Sequence, residues 1–215
     1  MRRGSALLAL VAALAVAVPA AAAPVRPSVA FAQLLDAAKA GKSATVFAGL
    51  SAATRSHYLT PSAFARSPAG AALTAAAKAP HVRLVDQSFP DGGAAEAVKT
   101  PKGAYAGALR LEGGRWRLVV DPDVLIQPLS PQAGAVTGKV LQVAAQAMLP
   151  DPVDTGALYL DGRPLSTKGG ATNGGRTVTL YANIPQGIAK GRHTLVAYVR
   201  GGAHSGALAW AFTIR

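Results

Sequence analysis

The chain offers few side chains suited to metal binding, and their spacing argues against such a site. It has no cysteine, and its four histidines, His57, His81, His193 and His204, stand far apart in sequence. Structural zinc sites usually show pairs of ligands at close spacing. The sequence therefore predicts no bound metal and no cofactor.

Two short segments approach known catalytic or phosphate-binding motifs without completing them. Ser205 would need glycine at positions 203 and 207 to form a G-x-S-x-G nucleophile motif, and both positions are alanine. Gly41-Lys42-Ser43 ends like a phosphate-binding loop, but Asp36 occupies the position of its first glycine. The segment also follows a predicted helix and not a strand. We predict no catalytic residue and no nucleotide site.

Charge is the clearest functional signal in the sequence. The formal net charge is +12, and no Asp or Glu occurs from Gly162 to Arg215. A surface of one sign attracts polyanions, and salt weakens that attraction. The predicted contacts to an anionic surface are Arg163, Lys168, Arg176, Lys190, Arg192 and Arg200. The alternative is a basic protein that has no such partner.

The secondary structure predicted to position these residues changes along the chain from helices to strands. The first part carries helix caps, helical spacing of apolar residues and a glycine stop at Gly41. Helices are predicted over residues 28–40, 45–54 and 68–78, with a turn near Pro61. Strands follow over residues 81–89, 94–99, 104–111 and 115–120. Helices followed by a meander indicate an α+β module.

The second part is predicted to be a β-sandwich. Residues 122–135 contain three prolines and little periodicity, which indicates a linker. In residues 207–214 every second side chain is large and apolar, which predicts a strand with one buried face. Further strands are predicted over 157–160, 177–181 and 193–199, whereas the period of residues 136–149 suits a helix or a strand.

The first residues have the pattern of a secretory signal peptide. Arg2 and Arg3 precede an apolar run over residues 6–18, and Pro19 and four alanines follow. The run has about thirteen residues, whereas a membrane anchor, the alternative, needs roughly 20. We predict a signal peptide over residues 1–22, and an exported bacterial protein in the periplasm or outside the cell.

The first part also resembles the nuclear transport factor 2-like fold, in which helices and a curved sheet form a cone. The resemblance covers residues 28–121 and is carried by residues 34–41, 50–55 and 112–119. The chain departs from exported members at Lys42, where an aspartate is usual. The resemblance implies a pocket in which enzymes of this fold hold an acid, a base or a tyrosine. The residues that could take this role are Tyr58, Asp86, Glu96 and Tyr105.

Residues 136–215 resemble the immunoglobulin-like modules of exported bacterial proteins. The matching residues are 151–154, the hairpin 158–165, the segment 191–195 and the closing 210–213. This resemblance favours a first strand over residues 140–149. It does not imply a calcium site, because the Asp-x-x-Gly-Asn motif of many members is missing before the last strand.

The sequence thus predicts two modules, an α+β cone over residues 28–121 and an all-β immunoglobulin-like sandwich over residues 136–215. The expected function is that of a non-catalytic binding or structural protein of the envelope or the exterior. Its basic sandwich would contact acidic polysaccharide, lipid head groups or cell-wall polymer, and nucleic acid is not expected there. The alternative is a small exported enzyme, or a small-molecule binder, that uses the cone.

Two structural features would separate these functions. A polar residue buried in the cone with a strongly shifted pKa would favour the enzyme. An interior filled by the apolar residues of the first two predicted helices would favour the binding or structural protein. Those residues are Phe31, Leu34, Phe47 and Leu50.

Overall fold

The computed structural model describes residues 25–80, 82–101 and 103–215. The predicted signal peptide over residues 1–22 lies outside the described residues, and so does His81. Within the described ranges, no helix is long and apolar enough to cross a membrane.

In the ranges described, five helices form the first layer of the molecule. They are α1 (Pro27–Lys39), α2 (Ser43–Ala48), α3 (Ala52–Tyr58), α4 (Pro61–Arg66) and α5 (Pro68–Ala77). Ser51, Thr60 and Ser67 cap the last three, because each side chain accepts a hydrogen bond from the backbone N–H three residues ahead. The Thr60 cap and the proline that follows it explain why a helix stands where a turn was predicted.

The predicted helix over residues 45–54 is wrong, because the chain leaves the helical path at Gly49. A β-carbon at this position would meet the end of the Leu34 side chain, so Leu34 of α1 would have to shift to admit a larger residue. Leu50 then forms a parallel bridge with Leu118, and the Ser51 N–H donates to the Leu118 carbonyl at 2.9 Å. The break therefore ties the helical layer to the sheet beneath it.

The first sheet is an antiparallel meander of four strands, with the order β1-β2-β3-β4. The strands are β1 (Val82–Ser88), β2 (Gly93–Thr100), β3 (Gly103–Glu112) and β4 (Arg115–Val119), close to the predicted ranges. Both faces are buried at β2. Ala94 and Val98 of β2 pack against the helices, whereas Ala95 and Ala97 face the other way.

Nine further strands form a β-sandwich of two sheets. They are β5 (Leu125–Ser130), β6 (Val136–Thr137), β7 (Gln142–Met148), β8 (Thr155–Leu160), β9 (Arg163–Pro164), β10 (Lys168–Thr172), β11 (Thr177–Asn183), β12 (Gly191–Gly201) and β13 (His204–Ile214). The second sheet has the order β10-β11-β7-β5, and the third has the order β6-β13-β12-β8-β9. These orders correspond to the ABED and CFG sheets of an immunoglobulin-like sandwich.

The predicted linker over residues 122–135 is wrong, because it contains β5. This strand pairs with β7, so the sandwich begins before residue 136. Pro128 lies on β5 at the edge of the second sheet, and the register shifts immediately after it. An edge strand tolerates proline because one side of the strand has no neighbour to receive its N–H. Proline content alone therefore misplaced the boundary.

The sheets and the helices are stacked in four layers. Trp210 and Phe212 of β13 are buried between the second and third sheets, which confirms the alternation predicted for this strand. Ala207 and Ala209 of the same strand face the first sheet. There, Ala95, Ala97 and Ala108 of the first sheet pack against Tyr159, Val196 and Tyr198 of the third. The helical half and the sandwich thus share a buried apolar interface.

Candidate functional site

Four of the six predicted cationic contacts lie at one end of the sandwich. On β8, Leu160 pairs with Leu195 on one side and with Arg163 on the other. Arg192 is the second residue of β12 and lies opposite Thr213 near the end of β13, and Lys190 directly precedes the strand. Lys168 opens β10 in the second sheet, shortly after the β9 hairpin. These four exposed residues, called the basic end below, are Arg163, Lys168, Lys190 and Arg192.

The other two predicted contacts lie elsewhere. Arg176 is exposed, but its carbonyl accepts a hydrogen bond from Leu149 at the opposite end of the sandwich. Arg200 forms ion pairs with Asp91 at 2.7 Å and with Asp154 at 3.5 Å, and its side chain is only 17% exposed. Arg200 is thus engaged within the molecule, and its contact with an external anion stays a prediction. This side chain fastens the β1–β2 turn to the sandwich.

The carboxylate nearest to the basic end in sequence is Asp161, and it is already engaged. It accepts hydrogen bonds from the Thr194 N–H at 2.8 Å and pairs with His193 Nδ1 at 2.7 Å. Lys139 and Arg215 are exposed on segments beside the same end, since Lys139 approaches Gly187 and the Arg215 N–H donates to Thr137. The basic end therefore presents positive charge with little local compensation.

Of the residues implied by the cone resemblance, Asp86 and Glu96 are cross-strand neighbours on β1 and β2. Glu96 is only 1% exposed and lies on the face of β2 that packs against the helices. Burial, and then the neighbouring Asp86 carboxylate, raise the pKa of Glu96 to about 9. Asp86 itself pairs with Arg83 at the surface, at 2.9 Å. Tyr105 stacks on Phe31, and burial raises its pKa.

Apolar side chains fill the space above Glu96. Phe31, Leu34 and Leu50 are buried there, and Phe47 packs against them. Phe31 covers Gly107, the cross-strand neighbour of Glu96, so closely that a β-carbon on Gly107 would lie 2.9 Å from Phe31 Cε2. The structure thus combines a buried carboxyl group of shifted pKa with a filled interior. Each feature favours a different one of the two predicted functions.

Sequence reasoning missed a second place where ionisable groups meet. A cleft of about 160 Å³ lies between α3, the end of the first sheet and the β12–β13 turn. We call it the junction cleft. Its polar lining consists of Ser51, Thr54, His57, Arg110, Asp121, Asp123 and His204.

Two aspartates and a histidine come together in the junction cleft. Asp121 Oδ2 pairs with His204 Nδ1 at 2.8 Å, and Asp121 Oδ1 accepts a hydrogen bond from the Asp123 N–H at 3.0 Å. One possible ligand atom from each of the three residues lies within 4.8 Å of the others. The Arg110 guanidinium donates to the carbonyls of Gly202 and Ala203 at 2.8 and 2.9 Å. The cleft can therefore hold a small ion or a small polar group.

The only sequence signal for this cluster was the segment Asp121-Pro122-Asp123, in which the proline suggested a linker. His204 follows 83 positions later and reaches Asp121 only because the first sheet packs against β13. Two of the four histidines, His57 and His204, line the same cleft in spite of their separation in sequence.

Comparisons with known proteins find solved structures of low similarity. No protein-family model and no curated protein matches the chain. The titin M3 domain is 14% identical, and the match covers 42% of this chain and 99% of that one, with a TM-score of 0.28. A titin tandem, A164-A165, is 10% identical over 58% of this chain and 62% of that one, with a TM-score of 0.29. PcoC, a methionine-rich copper resistance protein from Escherichia coli, is 14% identical over 41% of this chain and 99% of that one, with a TM-score of 0.28.

Proposed function

We propose that this chain is an exported, non-catalytic binding protein whose basic end contacts an anionic polymer of the cell envelope or exterior. The observation that carries the proposal is the grouping of four exposed cationic side chains at one end of a rigid sandwich. Acidic polysaccharide, cell-wall polymer and lipid head groups present the repeated negative charge that such a surface attracts.

The physical basis is the sum of several weak contacts. A single exposed ion pair contributes about 0 to 1 kcal/mol, so one arginine would not hold a ligand. Arg163 and Arg192 stand on neighbouring parts of the third sheet, and Lys168 stands on the second, so a polymer can engage several of them at once. Binding of this kind is multivalent and falls steeply as salt rises.

The choice of partner rests on the predicted signal peptide. An exported protein meets polysaccharide, cell-wall polymer and lipid surfaces, whereas nucleic acid is mostly confined to the cytoplasm. The fold fits a passive role, since the sandwich core is apolar and apolar side chains cover Glu96 between the first sheet and the helices. In this proposal the sandwich contacts the polymer. The first sheet supports the sandwich.

The test replaces all four residues of the basic end by glutamine and measures binding to immobilised heparin, a model polyanion. We expect the variant to elute at clearly lower salt than the native chain, because four cations are lost from one surface. The control replaces four exposed cations of the helical layer, which gives the same change in net charge. These are Lys39, Lys42, Arg66 and Lys78.

The control separates a defined surface from a general effect of net charge. Equal losses of heparin binding in the two quadruple variants would refute the proposal, because binding would then depend only on the total charge. Co-sedimentation with anionic lipid vesicles and with purified cell wall, at the same salt concentration, distinguishes the two physiological sources of negative charge.

A second candidate function is small-molecule binding in the helical half, and two observations favour it. Glu96 is a buried carboxyl group whose raised pKa keeps it protonated at neutral pH. A separate cleft of about 410 Å³ opens between α1 and the start of β4, lined in part by Phe31, Leu34 and Trp116. Under this proposal the helical half would be nuclear transport factor 2-like. Native mass spectrometry at low and then high salt tests it, because only a ligand held in an apolar cleft should remain at high salt.

A further inference from the structure

The geometry points to a binding site for a divalent transition-metal ion, of the zinc class, in the junction cleft, with Asp121, Asp123 and His204 as ligands. This site is separate from the basic end and does not depend on the proposed polymer binding. Three further steps support it: the meeting of the donor atoms, the burial of Asp121, and the chemistry of the donor set.

The donor atoms already lie close to one another. One carboxylate oxygen of each aspartate and a ring nitrogen of His204 fall within 4.8 Å of each other. Donor atoms around a tetrahedral zinc ion are roughly 3.3 Å apart, given metal–ligand distances near 2 Å. Asp123 is exposed, so a rotation of its side chain can close the remaining gap without moving the backbone.

Asp121 provides an independent reason to expect a cation. Its side chain is only 11% exposed, and its partners in the described part of the chain are the Asp123 N–H and His204, which is charged only when protonated. A carboxylate removed from water is costly unless a positive charge or several hydrogen bonds compensate it. Arg110 lines the same cleft, but its guanidinium is directed at the carbonyls of Gly202 and Ala203. A bound metal ion would supply the compensating charge.

The donor set decides the class of metal. Calcium and magnesium prefer sites made of oxygen atoms alone, whereas an imidazole beside carboxylates suits zinc and its neighbours. Three protein ligands leave a fourth position for water, and His57 is a further imidazole that lines the same cleft.

The test uses the full chain, expressed without a histidine tag, stripped with EDTA and titrated with zinc chloride by isothermal calorimetry. We expect one saturable Zn²⁺ site per chain, and at least about tenfold weaker binding of Ca²⁺ and Mg²⁺. Metal content after dialysis, measured by mass spectrometry, gives the stoichiometry independently. Asp121→Asn and His204→Gln should each weaken Zn²⁺ binding by about tenfold or more, since each removes a ligand.

The chain offers a matched control at the other end of the sandwich. His193 and Asp161 form the same kind of contact, at 2.7 Å, but no third ligand accompanies them in the described residues. His193→Gln and Asp161→Asn should therefore leave Zn²⁺ binding unchanged. The proposal would be overturned if the variants of Asp161 and His193 lost as much Zn²⁺ affinity as those of Asp121 and His204. It would also be overturned if the native chain showed no saturable Zn²⁺ binding.

A third variant separates the loss of a metal ligand from a loss of folding. His204→Gln removes a partly buried hydrogen bond, so its thermal unfolding must be compared with that of the native chain. Asp123 is exposed, and Asp123→Asn should keep the native unfolding temperature. Weaker Zn²⁺ binding by this stable variant supports a metal site, whereas native-like binding would remove Asp123 from the ligand set and contradict the proposal.

Discussion

The two faces of the first sheet are built differently, although both are buried. The helical face is covered by large side chains, among them Phe31, Leu35 and Phe64. Half of the residues that line the sandwich face are alanines, on both sides of the interface, and Tyr159, Tyr198 and Phe89 are among its large members. Large residues fill the uneven space between helices and a sheet, whereas small residues suit the contact of two sheets. The difference shows that this sheet serves two distinct packing partners.

Both faces also contain buried polar atoms that lack a hydrogen-bond partner in the described structure. Oε1 of Glu96 is such an atom on the helical face, and the hydroxyl of Tyr198 is one on the sandwich face. Only the carboxyl group ionises near neutral pH. The helical face should therefore be the one whose stability depends on pH, and the sandwich face should respond mainly to changes in volume.

The largest expected effect concerns Glu96 and pH. Folding raises the pKa of Glu96 from 4.5 to about 9, so the unfolded chain releases this proton more readily than the folded chain. Stability from this group is fully present below pH 4.5 and is lost as the pH rises toward 9. Between pH 6 and pH 8 the free energy of unfolding of the native chain should fall by up to about 3 kcal/mol relative to that of Glu96→Gln.

Urea unfolding of both proteins at the two pH values measures this loss. Glu112→Gln makes the same chemical change at the other glutamate of the chain, which lies at the end of β3. This control should keep the pH dependence of the native chain. If the native chain and Glu96→Gln showed the same dependence on pH, the burial of Glu96 under the helices would be wrong.

The next effect compares adjacent alanines of β2. Ala94 and Ala95 are both fully buried, the first against the helices and the second against the sandwich. Leucine at either position overfills the core, which typically costs about 1–3 kcal/mol. We expect Ala95→Leu to lower the free energy of unfolding more than Ala94→Leu does, because the third sheet is held on its other side by the sandwich core. Short helices can shift more easily.

Thermal unfolding of the two variants checks this comparison. Equal costs would show that the helical layer is as rigid as the sandwich. A larger cost for Ala94→Leu would reverse the comparison between the faces.

Sequence periodicity predicted those elements in which one face carries all the large residues. The alternation of Trp210 and Phe212 was sufficient to place β13 in the sandwich core. The same pattern gave no information about Ala207 and Ala209, because alanine is common at both buried and exposed positions. The contact of the first sheet with the sandwich rests on such alanines. It could not be predicted from the pattern.

The candidate sites show the same limit for charged residues. The count of cations beyond Gly162 identified a basic surface, but their distribution between the two ends depends on strand register. Arg200 was assigned to that surface, although its ion pair is with Asp91, 109 positions earlier. Asp121 and His204 likewise meet only in the folded chain. Contacts between distant segments carry no local signal in a single sequence.

The smallest expected effect concerns the hydroxyl of Tyr198. This residue is fully buried, and its ring stacks on Phe89 at a centroid distance of 4.6 Å. Phenylalanine would keep the stacking and remove a polar atom that has no hydrogen-bond partner in the described structure. Because an unpaired buried hydroxyl is unfavourable, Tyr198→Phe should stabilise the chain by up to about 1 kcal/mol in urea unfolding.

Tyr159 on the same face is the control for this last change. Its hydroxyl is not among the buried atoms that lack a partner, so Tyr159→Phe should bring no gain in stability. A loss of stability in Tyr198→Phe would mean that the hydroxyl is hydrogen-bonded, for example to a trapped water molecule. In that case the interface between the first sheet and the sandwich would contain a polar site. It would then resemble the helical face more closely than its alanines suggest.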